Sequence, residues 1–145
     1  MANITWYVKN EDSEYESTDL KYAGSYTGDE PLSLSLQVWN NRYGIKPEKD
    51  ISPLKINLSF PTEEDAALLK YCILSTEDAE GEKTISGCTA TFVFPRSTSL
   101  SGKVNNGIEK NNPENFVNLY LTFDPPKNTV LKMNDLKEMI LCVVE

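Results

Sequence analysis

The sequence predicts an all-β chain, an antiparallel two-sheet β-sandwich or jelly roll of about eight strands with one short helix near residues 62–69. Three observations carry that expectation. Apolar and polar residues alternate at period two over three clear stretches, no window sustains a 3.6-residue apolar stripe, and Gly, Pro and Asn punctuate the segments between. Alternation gives a strand one dry and one wet face, the pattern of antiparallel sheets closed over a shared core. The 145 residues fit one domain, 1–145, large enough to bury about 70% of its unfolded surface without a disulfide or metal.

Residues 3–9 and 20–26 are expected strands whose facing the pattern leaves open, separated by an acidic connection, 10–19, with five acids and no base. The clearest strand is 32–41, with Leu32, Leu34, Leu36 and Val38 on one face and Ser33, Ser35, Gln37 and Trp39 on the other. A polar connection, 40–53, leads to a strand at 54–60, where Leu54, Ile56, Leu58 and Phe60 alternate with Lys55, Asn57 and Ser59. Next comes the helix signal. Thr62 suits an N-cap, and Glu63, Glu64 and Asp65 suit the positive end of the helix dipole, so capping accounts for this acidic triplet.

Further strands are expected at 69–75 and 84–94, with 76–82 as a hairpin tip. The longest connection, 95–115, is rich in Ser, Asn, Gly and Pro, with a turn at Asn105-Asn106-Gly107; its length implies a small hairpin of its own or a contact arm. Strand 116–123 sets Val117, Leu119, Leu121 and Phe123 against Asn118, Tyr120 and Thr122. Residues 138–144 are apolar on both faces, so that strand belongs in the middle of a sheet or beneath a loop or partner.

The chain contains no histidine. Imidazole alone has an ordinary pKa inside the physiological range, so His-based triads, His-ligated zinc or haem and imidazole pH switches are closed to it. Nucleophile-elbow, P-loop and dinucleotide-binding frames are missing as well. The chain is therefore expected not to be an enzyme, with no catalytic residue, cofactor or metal assigned. Loops 10–19 and 76–82 offer oxygen ligands of the kind calcium takes, but without the EF-hand frame, and solvation explains their acids more simply. Cys72, Cys88 and Cys142 are widely spaced and odd in number, which suits reduced core thiols.

The formal charge is −8, and Lys and Arg form no cluster. Such a chain repels nucleic acid and anionic lipid, so neither is an expected partner. The opening Met-Ala-Asn-Ile-Thr-Trp-Tyr lacks the basic start and apolar run of a signal peptide, which suggests cytoplasmic synthesis, with later incorporation into a virion or other assembly left open.

Both tryptophans and five of the seven tyrosines lie within the first 43 residues, whereas every phenylalanine lies from Phe60 onward. Trp and Tyr tolerate a wet edge better than Phe. Uninterrupted alternation puts Trp39 on the polar face of its strand, with Asn40, Arg42 and Tyr43 directly after it; Asn118 and Tyr120 share the polar face of 116–123. Two other arrangements would hide Trp39: a bulge after Val38, or cover by the chain's own loops. Exposed, these six residues suit either a protein interface, where Trp, Tyr and Arg are typical anchors, or sugar stacking with amide partners.

By class the chain resembles the non-enzymatic modules of larger assemblies, such as phage virion or tail components, a likeness of fold rather than of motif. The leading expectation is a structural or interaction module meeting copies of itself or other subunits through Trp39, Tyr43 and the 95–115 loop. The alternative is a carbohydrate-binding sandwich that stacks glycan on Trp39, Tyr43 and Tyr120, with Asn40 and Asn118 as polar partners.

Overall fold

A computed structural model describes residues 2–9, 13–15, 19–25, 32–123 and 135–145 and arranges them in two five-stranded antiparallel sheets. The strands are β1 (Ile4–Val8), β2 (Ser13–Tyr15), β3 (Asp19–Ser25), β4 (Leu32–Asn40), β5 (Lys55–Ser59), β6 (Cys72–Ser75), β7 (Glu82–Ser86), β8 (Thr89–Val93), β9 (Phe116–Phe123) and β10 (Asp135–Val143). The first sheet runs β2-β1-β4-β9-β6 and the second β3-β10-β5-β8-β7. This is the expected β-sandwich.

The order of pairing is that of a jelly roll. Strand β3 pairs with β10, β4 with β9 and β5 with β8, as if one long hairpin had been rolled so that successive strands alternate between sheets. The innermost turn of the roll is loose. Strand β6 meets the approach to β7 through a Ser75–Glu80 bridge and the Gly81 N–H donating to the Leu74 carbonyl at 2.9 Å, after which β7 joins β8 at the edge of the second sheet.

The inward sets are those the alternation names. Leu34, Leu36 and Val38 of β4, Ile56 and Leu58 of β5, and Leu119, Leu121 and Phe123 of β9 share one buried cluster with Trp6, Phe92 and Leu141. Strand β10 lies between β3 and β5, the interior place its two-faced apolar sequence demanded. Adjacent Trp6 and Tyr7 point to opposite faces: Trp6 enters this core, and Tyr7 is buried on the other side of the sheet.

Three local expectations are corrected. Among the described residues a short strand, β2, lies inside the acidic connection, and 84–94 is a hairpin, not one strand. The hairpin turns at Gly87, whose φ of 58° lies in the region that glycine enters without a Cβ clash. Residues 76–82 form the expected hairpin tip, closed by the Ser75–Glu80 bridge and the Thr76 N–H donating to the Ala79 carbonyl at 2.7 Å, and the chain then passes into β7 of the second sheet. Helix α1 (Glu63–Ala66) is a single turn that tightens into a 3-10 turn over Ala67–Tyr71, so β6 starts at Cys72 and not at residue 69. The Lys83 ammonium of β7 completes this corner by donating to the carbonyls of Leu69, Lys70 and Cys72 at 2.9, 3.1 and 2.9 Å.

Cys72, Cys88 and Cys142 form no disulfide. Cys72 is buried, its Sγ donates to the Leu69 carbonyl at 3.0 Å, and burial pushes its pKa up to about 11, so it stays a thiol at neutral pH. Among the described residues no helix is long and apolar enough to cross a membrane.

Candidate interaction surface

Trp39 follows the alternation and faces away from the main core, yet it is 0% exposed. Register between β4 and β9 is continuous from Leu32 to Trp39, so no bulge turns the ring inward. The chain's own loop covers it. The expectation of a wet aromatic edge at Trp39 is therefore wrong, and with it any role for that ring as an interface anchor or glycan platform on the folded surface.

The cover is built from specific contacts. The Trp39 indole stacks on Phe116 of β9, its cross-strand partner, with centroids 4.7 Å apart and planes at 30°. Its Nε1–H donates to the Gln37 Oε1 at 2.7 Å, and the Gln37 amide donates to the Asn118 Oδ1 at 2.9 Å. Above this layer the Arg42 guanidinium lies 4.3 Å from the Trp39 ring, 4.7 Å from Tyr7 and 5.2 Å from Tyr43, and its Nε donates to the Gly107 carbonyl at 3.1 Å. A second clasp pairs Lys9 Nζ with the Glu109 carboxylate at 2.7 Å. Residues 104–112 are thus strapped across the outer face of the first sheet.

The Lys9 hydrogen bond, then the Gln37 amide and the positive field of Lys9 and Arg42, hold the Glu109 carboxyl below its ordinary 4.5 against a smaller opposing push from burial. A carboxyl lowered by folding stabilises the clasp above its unfolded pKa and loses that contribution as pH falls from 4.5 through the lowered value. Both partners are nearly half exposed, so the effect is local. Protection of the amides over 104–112, relative to their intrinsic exchange rates, is expected to fall on acidification in this window, and Glu109→Gln is expected to show the lower protection already at neutral pH. Equal protection in the two proteins at neutral pH would count against the clasp.

Where the 40–46 and 101–112 loops meet, asparagine side chains replace regular pairing. Asn41 adopts a φ of 57°, and its Nδ2 donates to the carbonyls of Lys46 at 2.7 Å and Gly102 at 2.9 Å. Buried Asn40 donates to the Lys49 carbonyl at 2.8 Å, so this expected contact residue is a structural brace. Asn105 donates to the Asn41 carbonyl at 2.6 Å and accepts from the backbone N–H groups of Tyr43 and Gly107 at 3.1 and 3.0 Å. Asn112 bonds Asn106 and the Ile108 carbonyl, and Asn115 donates to the carbonyls of Ser101 and Lys103.

These braces display apolar side chains. Tyr43 is 63% exposed, Ile45 88%, Val104 50% and Ile108 49%. Tyr43 sits at a φ of 61°, a conformation costing about 1–2 kcal/mol for a side chain with a Cβ. Its ring lies on Gly107, where a Cβ would come within 2.1 Å of a ring carbon. Of the six expected contact residues, Tyr43 is thus exposed at this tip, Arg42 holds the tip to the sheet, and Trp39 and Asn40 are buried beneath. Ile45, Val104 and Ile108 were missed by strand-period reasoning, which is silent on loops; their signal was an isolated aliphatic flanked by Gly, Lys or Asn.

Asn118 and Tyr120 belong to a separate place. Asn118 lines a groove of about 890 Å³, and the Tyr120 hydroxyl donates to Glu77 on the groove wall at 3.3 Å; partial desolvation and that carboxylate raise the phenol's pKa. Among the described residues no group of three or more Cys, Asp or Glu side chains is arranged to hold a metal ion. Much of the 10–19 loop lies outside the described residues. Comparisons with protein-family models, with curated proteins and with solved structures return no match.

Proposed function

We propose that the chain is a non-catalytic interaction module, a structural component of a larger assembly that docks through the tip formed by Tyr43, Ile45, Val104 and Ile108. One observation carries this: four large apolar side chains stand in water on two loops that are cross-braced and partly strained to present them. A loop serving only as a connection gains nothing from such display, since exposed apolar clusters favour association. Rigid loops also lose little freedom on docking, which leaves more of the contact energy for affinity. A place among virion or tail components remains the likeness of class stated above.

The test is co-fractionation in the cells the protein comes from. The wild-type chain is expected in a complex much larger than itself, and a Tyr43→Ser/Ile45→Asp variant is expected at the size of the free chain with an unchanged melting temperature. A wild-type chain eluting free, or a variant that stays in the complex, would overturn the proposal.

A further inference from the structure

We infer that the tip docks into the acidic groove of a second copy of the same chain, in a reciprocal two-fold dimer. This rests on the docking role just proposed and names its partner. The groove is lined by Phe116 and Val117 together with Asp50, Glu77, Asp78 and the Lys103-paired Glu114, and no basic residue is among its lining. Its chemistry suits the tip: an exposed aliphatic knob needs a concave, partly apolar seat.

Charge complements shape. The whole chain carries −8, yet the segments 42–46 and 103–110 hold Arg42, Lys46, Lys103 and Lys110 against Glu109 alone. Arg42 is engaged by the aromatic stack, Lys103 by Glu114 at 2.8 Å and Glu109 by Lys9, which leaves Lys46 and Lys110 without an ion pair among the described residues. Lys46 directly follows Ile45, the most exposed aliphatic among the described residues. Between acidic molecules that otherwise repel, a basic knob meeting an acidic groove is a favoured encounter.

Tip and groove share one stretch of chain: residues 97–101, 113–114 and 116–118 line the groove, and 104–108 carry half of the tip. A chain that carries both complementary surfaces can close an isologous pair in which tip meets groove twice.

Sedimentation velocity of the purified chain over a micromolar range tests this directly. The wild type is expected to dimerise. Ile45→Asp, and separately Glu77→Lys/Asp78→Lys, are each expected to weaken the dimer at least ~30-fold while keeping the wild-type melting temperature, as suits changes at exposed hot-spot positions. Mixing the two variants is expected to restore dimers, because the mixture contains one intact tip with one intact groove, and the altered tip and groove attract each other. A wild type that stays monomeric, variants that dimerise normally, or a mixture that stays monomeric would each overturn the inference. So would a monomer that sediments with phosphatidylserine vesicles, which would make lipid the occupant. A monomeric wild type whose tip variants still leave the cellular complex would overturn only the second-copy partner, not the docking role.

Discussion

Replacing Trp39 with alanine is expected to destabilise the chain by about 3–5 kcal/mol in urea unfolding, the range for truncating a fully buried large aromatic. The ring is 0% exposed, stacks on Phe116 and underlies Arg42, so its loss opens a cavity and frees both neighbours. It also leaves the Gln37 Oε1 without its indole donor. A domain of this size has about 5–15 kcal/mol in total, so the variant stands near the limit of folding. Trp39→Phe keeps the stack and loses mainly the hydrogen bond, for an expected cost of about 1–3 kcal/mol. An exposed platform would behave otherwise: either substitution would fall within about 0.5 kcal/mol. Urea midpoints for the pair therefore decide between the buried and the exposed ring.

Asn41→Ala is expected to cost about 3 kcal/mol, from two lost hydrogen bonds at about 1 kcal/mol each and a further ~1 kcal/mol for alanine at positive φ. The carbonyls are those of Lys46 and Gly102, and the φ is 57°. Asn41→Gly separates the contributions, because glycine takes the backbone conformation without strain and loses only the hydrogen bonds. Glycine is expected to be the milder of the two by about 1 kcal/mol. Should both variants be as stable as the wild type, the two loops would not be held together as described. Beyond stability, both variants are expected to loosen the tip, with faster amide exchange at Tyr43 and Val104.

Physics explains what the sequence made legible. The strands 32–41, 54–60 and 116–123 were readable because period-two alternation directly encodes which side chains share a face, and β4, β5 and β9 turn those faces inward. The interior place of β10 followed from a strand apolar on both sides. Trp39 was misplaced for a related reason. Alternation reports the face of a strand, not what lies above it, and here the outer face is roofed by a loop distant in sequence. The roof depends on hydrogen bonds from Asn105, Asn112 and Asn115 to backbone carbonyls, which leave no periodic trace. The hairpin within 84–94 was hidden because one glycine at positive φ reverses the chain without interrupting the apolar content on either side.

The candidate surface was half legible. Arg42 and Tyr43 were identified from their position after a strand end, yet they serve different purposes, one as clamp and the other as display. The acidity of the chain gave no hint that Lys46 and Lys110 would stand on the loops that carry exposed aliphatics, because the tip joins two loops about 60 residues apart.

Photocrosslinking from position 45 in the native cell tests the docking role most directly. A photoreactive side chain in place of Ile45, which is 88% exposed, is expected to capture a protein in high yield, while the same group in place of Ile85, on the edge strand β7, is expected to capture little. Equal capture from both positions, or none from position 45, would contradict a tip built for docking.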